Sequence, residues 1–176
     1  MEAKVFQMVR YCGCVEIVES FANLEDSKKE EVAEFSVYTL TRASNSNFFP
    51  SPCVNRTVQI TEEELKRIVG RKKAVPEKSE ELYTVIITPY SIKICKKEKK
   101  PFHYSELETV MTEKAKFSMN LVSFASLDFD IFVSFVAKND DGTHRAGYVL
   151  ECSDNDSAGQ MFDVIKQFFK EPRIYF

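Results

Sequence analysis

The chain has 176 residues, of which 44% are hydrophobic and 29% are charged, and its formal net charge is −3. This length and composition fit one globular domain over residues 1–176, with enough apolar material for a core, and the negative charge argues against a nucleic-acid-binding protein. No apolar run is long enough to cross a bilayer, and MEAKVFQMVRY lacks a signal-peptide pattern, so we expect an intracellular protein.

The N-terminal half is predicted to form a strand followed by two helices. Residues 5–18 are rich in β-branched and aromatic residues, with Gly13 as a bulge. Capping boxes at Ser27–Glu30 and Thr61–Glu64 predict that helices begin there. Gly70 is expected to end the second helix.

The C-terminal half is predicted to be mostly strands. Before it, a polar loop with two prolines covers residues 43–59, between the two predicted helices. Period-2 and β-branched patterns then predict consecutive strands, with a charged, proline-containing connection after the second of them. These strands cover residues 82–87, 91–96, 116–126, 131–138 and 145–152.

The end of the chain is predicted to be an amphipathic helix. A capping box at Ser157–Gln160 begins it, and Pro172 limits its extension. Its apolar positions follow the i, i+3, i+4, i+7 rule and comprise Ala158, Met161, Phe162, Ile165, Phe168 and Phe169. A strand, two helices, a run of antiparallel strands and a final helix predict an α+β, helix-capped β-sandwich.

The dipeptide Asp141-Gly142 is a strong hairpin signal. A two-residue loop there would place Lys138 directly opposite Arg145, on the same face of the sheet. Like charges at such positions are destabilising, and a bound dianion would relieve the repulsion. The alternative interpretation is a solvated hairpin end.

A hydroxyl group is expected to join these two cations. A four-residue turn at Leu127–Asp130 would pair Ser123 with Ser134, and strand alternation puts Ser134 on the face of Lys138. Ser123, Lys138 and Arg145 would then share one face. Charge together with hydrogen-bond donors is what a phosphate group requires.

Catalysis and cofactor binding find little support in the sequence. The five cysteines contain no C-x-x-C pair and read as small buried residues. The only histidines, His103 and His144, have no recognisable nucleophile setting beside them, and no glycine-rich phosphate loop is present. We therefore expect no cofactor, no metal site and no enzymatic activity.

Several segments together resemble the phosphotyrosine-binding (PTB) domain of the Shc adaptor family. They are VRYCGCVEIVESF, GRKK, SFAS, FVAK and HRAGYVLEC, in the right order, and the resemblance extends from about Val5 to Phe169. It implies a pleckstrin-like fold: two nearly orthogonal antiparallel sheets, helices inserted after the first strand and a C-terminal capping helix. It also implies that Asn-Pro-x-phosphotyrosine peptides bind by strand addition.

The resemblance assigns roles to individual residues. Ser123, Lys138 and Arg145 match three of the family's four phosphotyrosine contacts, with Arg145 the most important. The fourth contact is an arginine in the family and Ala22 here, so a phosphate-independent peptide binder stays an alternative. The peptide groove would be formed by Leu121, Val122, Phe124, Ala125, Ser126, Ile165 and Phe169.

Two basic clusters suggest a further alternative, an anionic membrane surface. The first cluster comprises Lys66, Arg67, Arg71, Lys72 and Lys73. The second comprises Lys93, Lys96, Lys97, Lys99 and Lys100. A solvated helix end and a lysine-protected edge strand would explain them equally well. The family binds phosphoinositides through basic residues beside the peptide site, and Arg71 lies in the matching segment, followed by Lys72 and Lys73.

The expected partners follow from the resemblance. They are protein tails that are tyrosine-phosphorylated or contain Asn-Pro-x-Tyr, receptor kinases among them, with anionic lipid as a second possibility and nucleic acid excluded. The expected location is the cytoplasm, with recruitment to the inner face of the plasma membrane.

Overall fold

The computed structural model describes residues 3–21, 24–41, 60–75, 81–102 and 106–170. The predicted loop at residues 43–59, and the predictions for Ala22, His103 and Pro172, lie outside them. In chain order the elements are β1 (Lys4–Ile17), α1 (Asp26–Leu40), α2 (Glu62–Ile68), β2 (Val69–Ala74), β3 (Tyr83–Ile87), β4 (Ser91–Phe102), β5 (Glu106–Ser118), a turn of 3₁₀ helix (Met119–Leu121), β6 (Val122–Asp128), β7 (Phe132–Lys138), β8 (Arg145–Glu151) and α3 (Asn155–Lys170).

The long strand β1 connects the two parts of an antiparallel sheet. Its first half pairs with β3, and its second half pairs with β8 and β2. The strands follow the order β5-β4-β3-β1-β8-β7-β6, with β2 attached to β1. Two helices follow the first strand and one ends the described chain. The predicted α+β architecture with a C-terminal capping helix is therefore confirmed.

The predicted bulge at Gly13 is also present. The pairing of β1 with β8 shifts register between Tyr11 and Gly13, and Gly13 has φ 126°. A Cβ atom at this position would collide with the carbonyl oxygen of Lys73 on β2. Only glycine both adopts this conformation without strain and permits this close approach.

Helix α3 covers the sheet with the apolar face that its sequence predicts. Met161 and Ile165 are fully buried in one cluster with Phe135 of β7 and Leu150 of β8. Burial of each such side chain contributes about 1.5–3 kcal/mol to folding. The position of α3 against the strands is thus fixed by the core.

One of the predicted capping boxes is confirmed and another is wrong. Thr61 caps α2, because its hydroxyl oxygen accepts the backbone N–H of Glu64 at 3.1 Å. Helix α1 instead begins before Ser27, at Asp26, and its cap residue Glu25 makes no side-chain capping bond. Ser27 therefore lies inside the first turn.

The third capping box is wrong for a similar reason. Helix α3 begins at Asn155, two residues before Ser157, which was the expected cap. The Asp154 carboxylate occupies the capping position and accepts the backbone N–H of Ser157 at 2.7 Å. This hydrogen bond lowers the pKa of Asp154.

The strand β2 was not predicted from the sequence. Gly70 was expected to end the second helix, but α2 ends at Ile68 and Gly70 lies within β2. The segment pairs with β1 through Lys72 opposite Val15 and Lys73 opposite Cys14. Every residue after Val69 is exposed, so the segment lacks the alternation of apolar and polar residues that would predict a strand.

The hairpin of β4 and β5 is longer than predicted, and the predicted strand at residues 116–126 is divided. The charged connection after residue 96 is part of the hairpin. There Glu98 forms an ion pair with Lys114 of β5 at 2.6 Å and accepts a hydrogen bond from the Thr112 hydroxyl at 3.2 Å. Cross-strand ion pairs allow polar segments to form strands. The turn Met119–Leu121 then separates β5 from β6.

Candidate functional site

Strand β6 lies at one end of the strand order. Among the described strands it pairs with β7 alone, so its other edge carries unpaired backbone donors and acceptors. Ala125 of β6 and Phe169 of α3 pack on the same core cluster. The open edge of β6 therefore lies beside α3, where the sequence predicts a peptide groove.

The structure places the predicted groove residues at different depths. Phe124, Ala125 and Phe169 are half-buried, so each retains some exposed surface. Ser126 and Val122 are buried.

Ile165 and Leu121 depart from the predicted groove. Ile165 is 0% exposed, so it supports α3 from within the core and offers no surface to a peptide. Leu121 belongs to the 3₁₀ turn and not to β6, which begins at Val122. The receiving strand is therefore Val122–Asp128, shifted toward the C-terminus from the predicted segment.

A cavity of about 490 Å³ lies at the C-terminal end of β6. Helix α1 contributes two carboxylates to it, Glu30 and Glu34, and β6 contributes Asp128, which accepts a hydrogen bond from Ser126 at 3.0 Å. Phe162 of α3 provides an apolar wall. A peptide along β6 would meet this cavity at one end.

The two cations singled out in the sequence occupy directly opposite positions. Lys138 ends β7, Arg145 begins β8, and the two are register partners, as predicted. Asn139 and His144 close the loop with a backbone hydrogen bond of 2.9 Å, and Gly142 has φ 73°. The loop thus has four residues rather than two, with the same register at its base.

Arg145 is held by a long-range contact that the sequence does not reveal. Its Nη2 donates to the backbone carbonyl of Val18, just beyond β1, at 3.4 Å. The side chain is half-buried, whereas Lys138 is exposed. Within the part of the chain that the structure describes, neither cation forms an ion pair with a carboxylate. Their charges are available to a bound anion.

Ser123 lies close to this pair, but not through the predicted register. The turn after β6 is Phe129–Ile131, with φ 53° at Phe129 and 61° at Asp130. Ser134 consequently pairs with Ser126, and the predicted pairing with Ser123 is wrong. Ser123 is exposed.

A bulge defines the actual position of Ser123. Val122 pairs with Ala137 and Phe124 with Val136, so Ser123 is the extra residue between them. Ala137 directly precedes Lys138. The hydroxyl therefore lies at the end of β6 where the cations are, although its orientation follows from the bulge and not from simple alternation.

The sequence does not reveal an aromatic contact near this end of β6. Phe21 packs edge-to-face on Phe124, with ring centroids 5.5 Å apart. Phe21 is buried and also joins the cluster that contains Ile68 of α2. The only sequence signal is an apolar residue after the end of β1.

The basic residues of β2 form an exposed surface. Arg71, Lys72 and Lys73 are all exposed on a strand that, among the described elements, pairs with β1 alone. Of the neighbouring cluster, Arg67 is engaged by Glu19 at 3.0 Å. The three cations of β2 are therefore exposed on a strand, whereas Arg67 of α2 is held in an ion pair.

A comparison with protein-family models decides the family. The model for the phosphotyrosine interaction domain (PTB/PID) matches residues 7–172. The chain belongs to the PTB/PID family. A search of the curated proteins finds no match.

Family membership agrees with the observed fold. PTB domains have a pleckstrin-like fold, which confirms the predicted fold class, and they are non-catalytic modules that bind phosphotyrosine or Asn-Pro-x-Tyr peptides. None of the helices in the described ranges is long and apolar enough to span a bilayer. In the same ranges no three acidic, cysteine or histidine side chains cluster in a way that could hold a metal ion.

Proposed function

We propose that this PTB domain binds Asn-Pro-x-phosphotyrosine segments in the tails of receptors or signalling proteins by strand addition to β6. The observation that supports this proposal is the open edge of β6, which runs beside α3 and ends near the Lys138–Arg145 pair. An added strand supplies affinity through main-chain hydrogen bonds, and side-chain pockets supply selectivity.

The phosphate group is bound by Arg145, Lys138 and Ser123. Arg145 presents a planar fork that can hold two phosphate oxygens, and its contact with the Val18 carbonyl limits its freedom before binding. Lys138 adds a second charge from the opposite strand position. The repulsion between the two cations is relieved when a dianion lies between them.

The groove residues contact the remainder of the peptide. Phe124, Ala125 and Phe169 provide the half-buried apolar surface along the strand, and the cavity beside Phe162 receives a side chain from the far end of the peptide. In this arrangement the buried Ile165 acts only by fixing α3.

The proposed setting is that of a Shc-like adaptor module. It acts in the cytoplasm on tyrosine-phosphorylated tails, with those of receptor kinases as the foremost candidates. The residue Ala22 departs from the Shc pattern, so three side chains rather than four would contact the phosphate.

An anionic membrane surface is a second candidate function, favoured by one observation. Arg71, Lys72 and Lys73 are consecutive and exposed on the edge strand β2. Consecutive strand residues point to alternate faces, so the whole edge is cationic. Recruitment to phosphoinositide-containing membranes would be compatible with peptide binding at β6.

The test is a calorimetric titration with a matched pair of Asn-Pro-x-Tyr peptides, phosphorylated and unphosphorylated. We expect tighter binding of the phosphorylated peptide and loss of that preference in Arg145→Ala. Equal affinity for both peptides, unchanged in the variant, would leave a phosphate-independent peptide binder. Absence of binding to either peptide would refute the proposed function.

A further inference from the structure

The segment that follows β1 carries the backbone carbonyl that contacts Arg145. The carbonyl of Val18 accepts from Arg145 Nη2 at 3.4 Å, and the backbone N–H of Val18 donates to the carbonyl of Ile68 at 2.7 Å. One residue therefore connects the arginine of the proposed phosphate site to the last residue of α2. The bond to Ile68 is the shorter of the two, so the position of Val18 is set mainly from α2.

Gly70 of β2 bounds the same residue from another side. A Cβ atom at position 70 would lie 3.1 Å from Cγ2 of Val18 and 2.7 Å from Oε1 of Glu16. The Glu16 carboxylate ends a flexible side chain and can move away. A valine side chain is short and stiff at χ1, so relieving its contact requires Val18 itself to move. The glycine thus permits the observed position of Val18.

The far end of the segment is fixed by packing. Phe21 is 4% exposed and lies in one cluster with Ile68, which is fully buried. Between Val18 and Phe21, Glu19 pairs with Arg67 of α2, but this ion pair is exposed and contributes little. Both ends of the segment therefore contact α2, and α2 together with the start of β2 determines where the Val18 carbonyl lies.

We propose that the junction of α2 and β2, residues 68–70, positions Arg145 for phosphate binding through the carbonyl of Val18. Gly70 is a positioning residue of this junction, because a side chain there would displace Val18. This role rests on the proposed function, in which Arg145 binds the phosphate group of the peptide. It adds two residues, Val18 and Gly70, that act on phosphate affinity through Arg145.

Holding the guanidinium before binding lowers the entropic cost of binding. Each side chain with many rotamers that a ligand must immobilise reduces the affinity for that ligand. The Val18 carbonyl is the polar partner that the described residues provide for the Arg145 side chain. The positioning therefore benefits a phosphorylated peptide, whereas an unphosphorylated peptide makes no use of it.

Calorimetric titration of the whole chain with phosphorylated and unphosphorylated Asn-Pro-x-Tyr peptides tests this inference. The test variant is Gly70→Ala, and its matched control is Gly159→Ala in α3, where an added Cβ would enter open space. We expect Gly70→Ala to bind the phosphorylated peptide about twofold to tenfold more weakly, the affinity equivalent of immobilising one such side chain. Its binding of the unphosphorylated peptide, and both affinities of the control, should be those of wild type.

Two further variants separate positioning from general destabilisation, and circular dichroism verifies that each one folds. Val18→Ala keeps the carbonyl and removes Cγ2, so its combination with Gly70→Ala should regain phosphopeptide affinity. In an Arg145→Ala background, Gly70→Ala should have no further effect, since the group that it positions is gone. Equal weakening of both peptides, no rescue by Val18→Ala, or an undiminished effect without Arg145 would overturn the inference.

A spectroscopic measurement tests the positioning without any peptide. The Nε–H signal of Arg145 in ¹H–¹⁵N spectra, assigned by its loss in Arg145→Ala, should shift or broaden in Gly70→Ala and stay unchanged in Gly159→Ala. An unchanged signal in Gly70→Ala would contradict the positioning role even if wild type prefers the phosphorylated peptide. If the signal moves but wild type shows no such preference, the proposed function fails while the coupling of Gly70 to Arg145 stands.

Discussion

Lys138 and Arg145 face each other across β7 and β8, and the Arg145 guanidinium donates to the carbonyl of Val18. Within the described residues neither cation forms an ion pair with a carboxylate, and the proposed function places a phosphate between them. We expect Arg145→Ala to weaken phosphopeptide binding by about 2–4 kcal/mol, because truncation leaves the phosphate underpaired. Arg145→Lys should also weaken it, since lysine lacks the two-pronged contact. Calorimetry measures both.

The stability of the same variants provides the control. Arg145→Ala should leave the unfolding free energy unchanged or slightly higher, because it removes one member of a like-charge pair. A large loss of stability in urea titration would show that Arg145 is a structural residue. A retained affinity in Arg145→Ala would remove it from the phosphate site.

Introducing the arginine of the Shc pattern at position 22 gives a gain-of-function prediction. Ala22→Arg should tighten binding of the phosphorylated peptide by about 1.5–3 kcal/mol, the value of a hydrogen bond to a charged group. It should do little for the unphosphorylated peptide. An equal gain for both peptides would mean that the new arginine acts through general charge and not through the phosphate.

The cations of β2 give a prediction about membranes. Reversing the charge of Arg71, Lys72 and Lys73 to glutamate should abolish sedimentation with phosphoinositide vesicles and preserve peptide binding. Added salt should weaken the wild-type interaction, because exposed charges are screened over about 10 Å at 0.1 M. If wild type fails to sediment with such vesicles at low salt, the membrane candidate is removed.

The cap of α3 gives a pH-dependent stability prediction. The backbone N–H of Ser157 lowers the pKa of Asp154 from its ordinary value of 3.8. A lowered folded-state pKa means that the stabilisation is present above 3.8 and is lost as pH falls through the folded-state pKa. Asp154→Ala should therefore lower the Tm at pH 7 by about 2–4 °C.

Thermal melts at neutral and acidic pH, followed by circular dichroism, measure this effect. The difference in Tm between wild type and Asp154→Ala should narrow as pH falls below 3.8. Asp154→Asn is the matched control, since it keeps an acceptor oxygen but has no titrating charge. A difference that is constant with pH would show that the charge of Asp154 contributes nothing to the cap.

Local signals explain which parts of the site were predictable. The register of Lys138 with Arg145 follows from the nearby Asp141-Gly142 pair, and a four-residue loop preserves it. The register between β6 and β7 was not predictable, because its turn places Phe129 and Asp130 at positive φ without a glycine to signal it. An error of this kind changes every cross-strand partner.

Tertiary contacts account for the other omissions. The strand β2 carries no apolar alternation, and its close approach to β1 depends on Gly13, where a Cβ atom would collide with the Lys73 carbonyl oxygen. The hydrogen bond between Arg145 and Val18 joins residues 127 positions apart. The burial of Ile165 was foreseeable from its helical spacing, but its depth below the groove depends on how α3 packs.

Amide hydrogen exchange, with and without a phosphorylated Asn-Pro-x-Tyr peptide, tests the account most directly. Strand addition predicts slower exchange within Val122–Asp128, because the peptide pairs with the open edge of β6. The strand β5, at the other end of the strand order, is the internal control and should be unchanged. Protection confined to β5 or β2, or no protection at β6 under saturating peptide, would contradict the account.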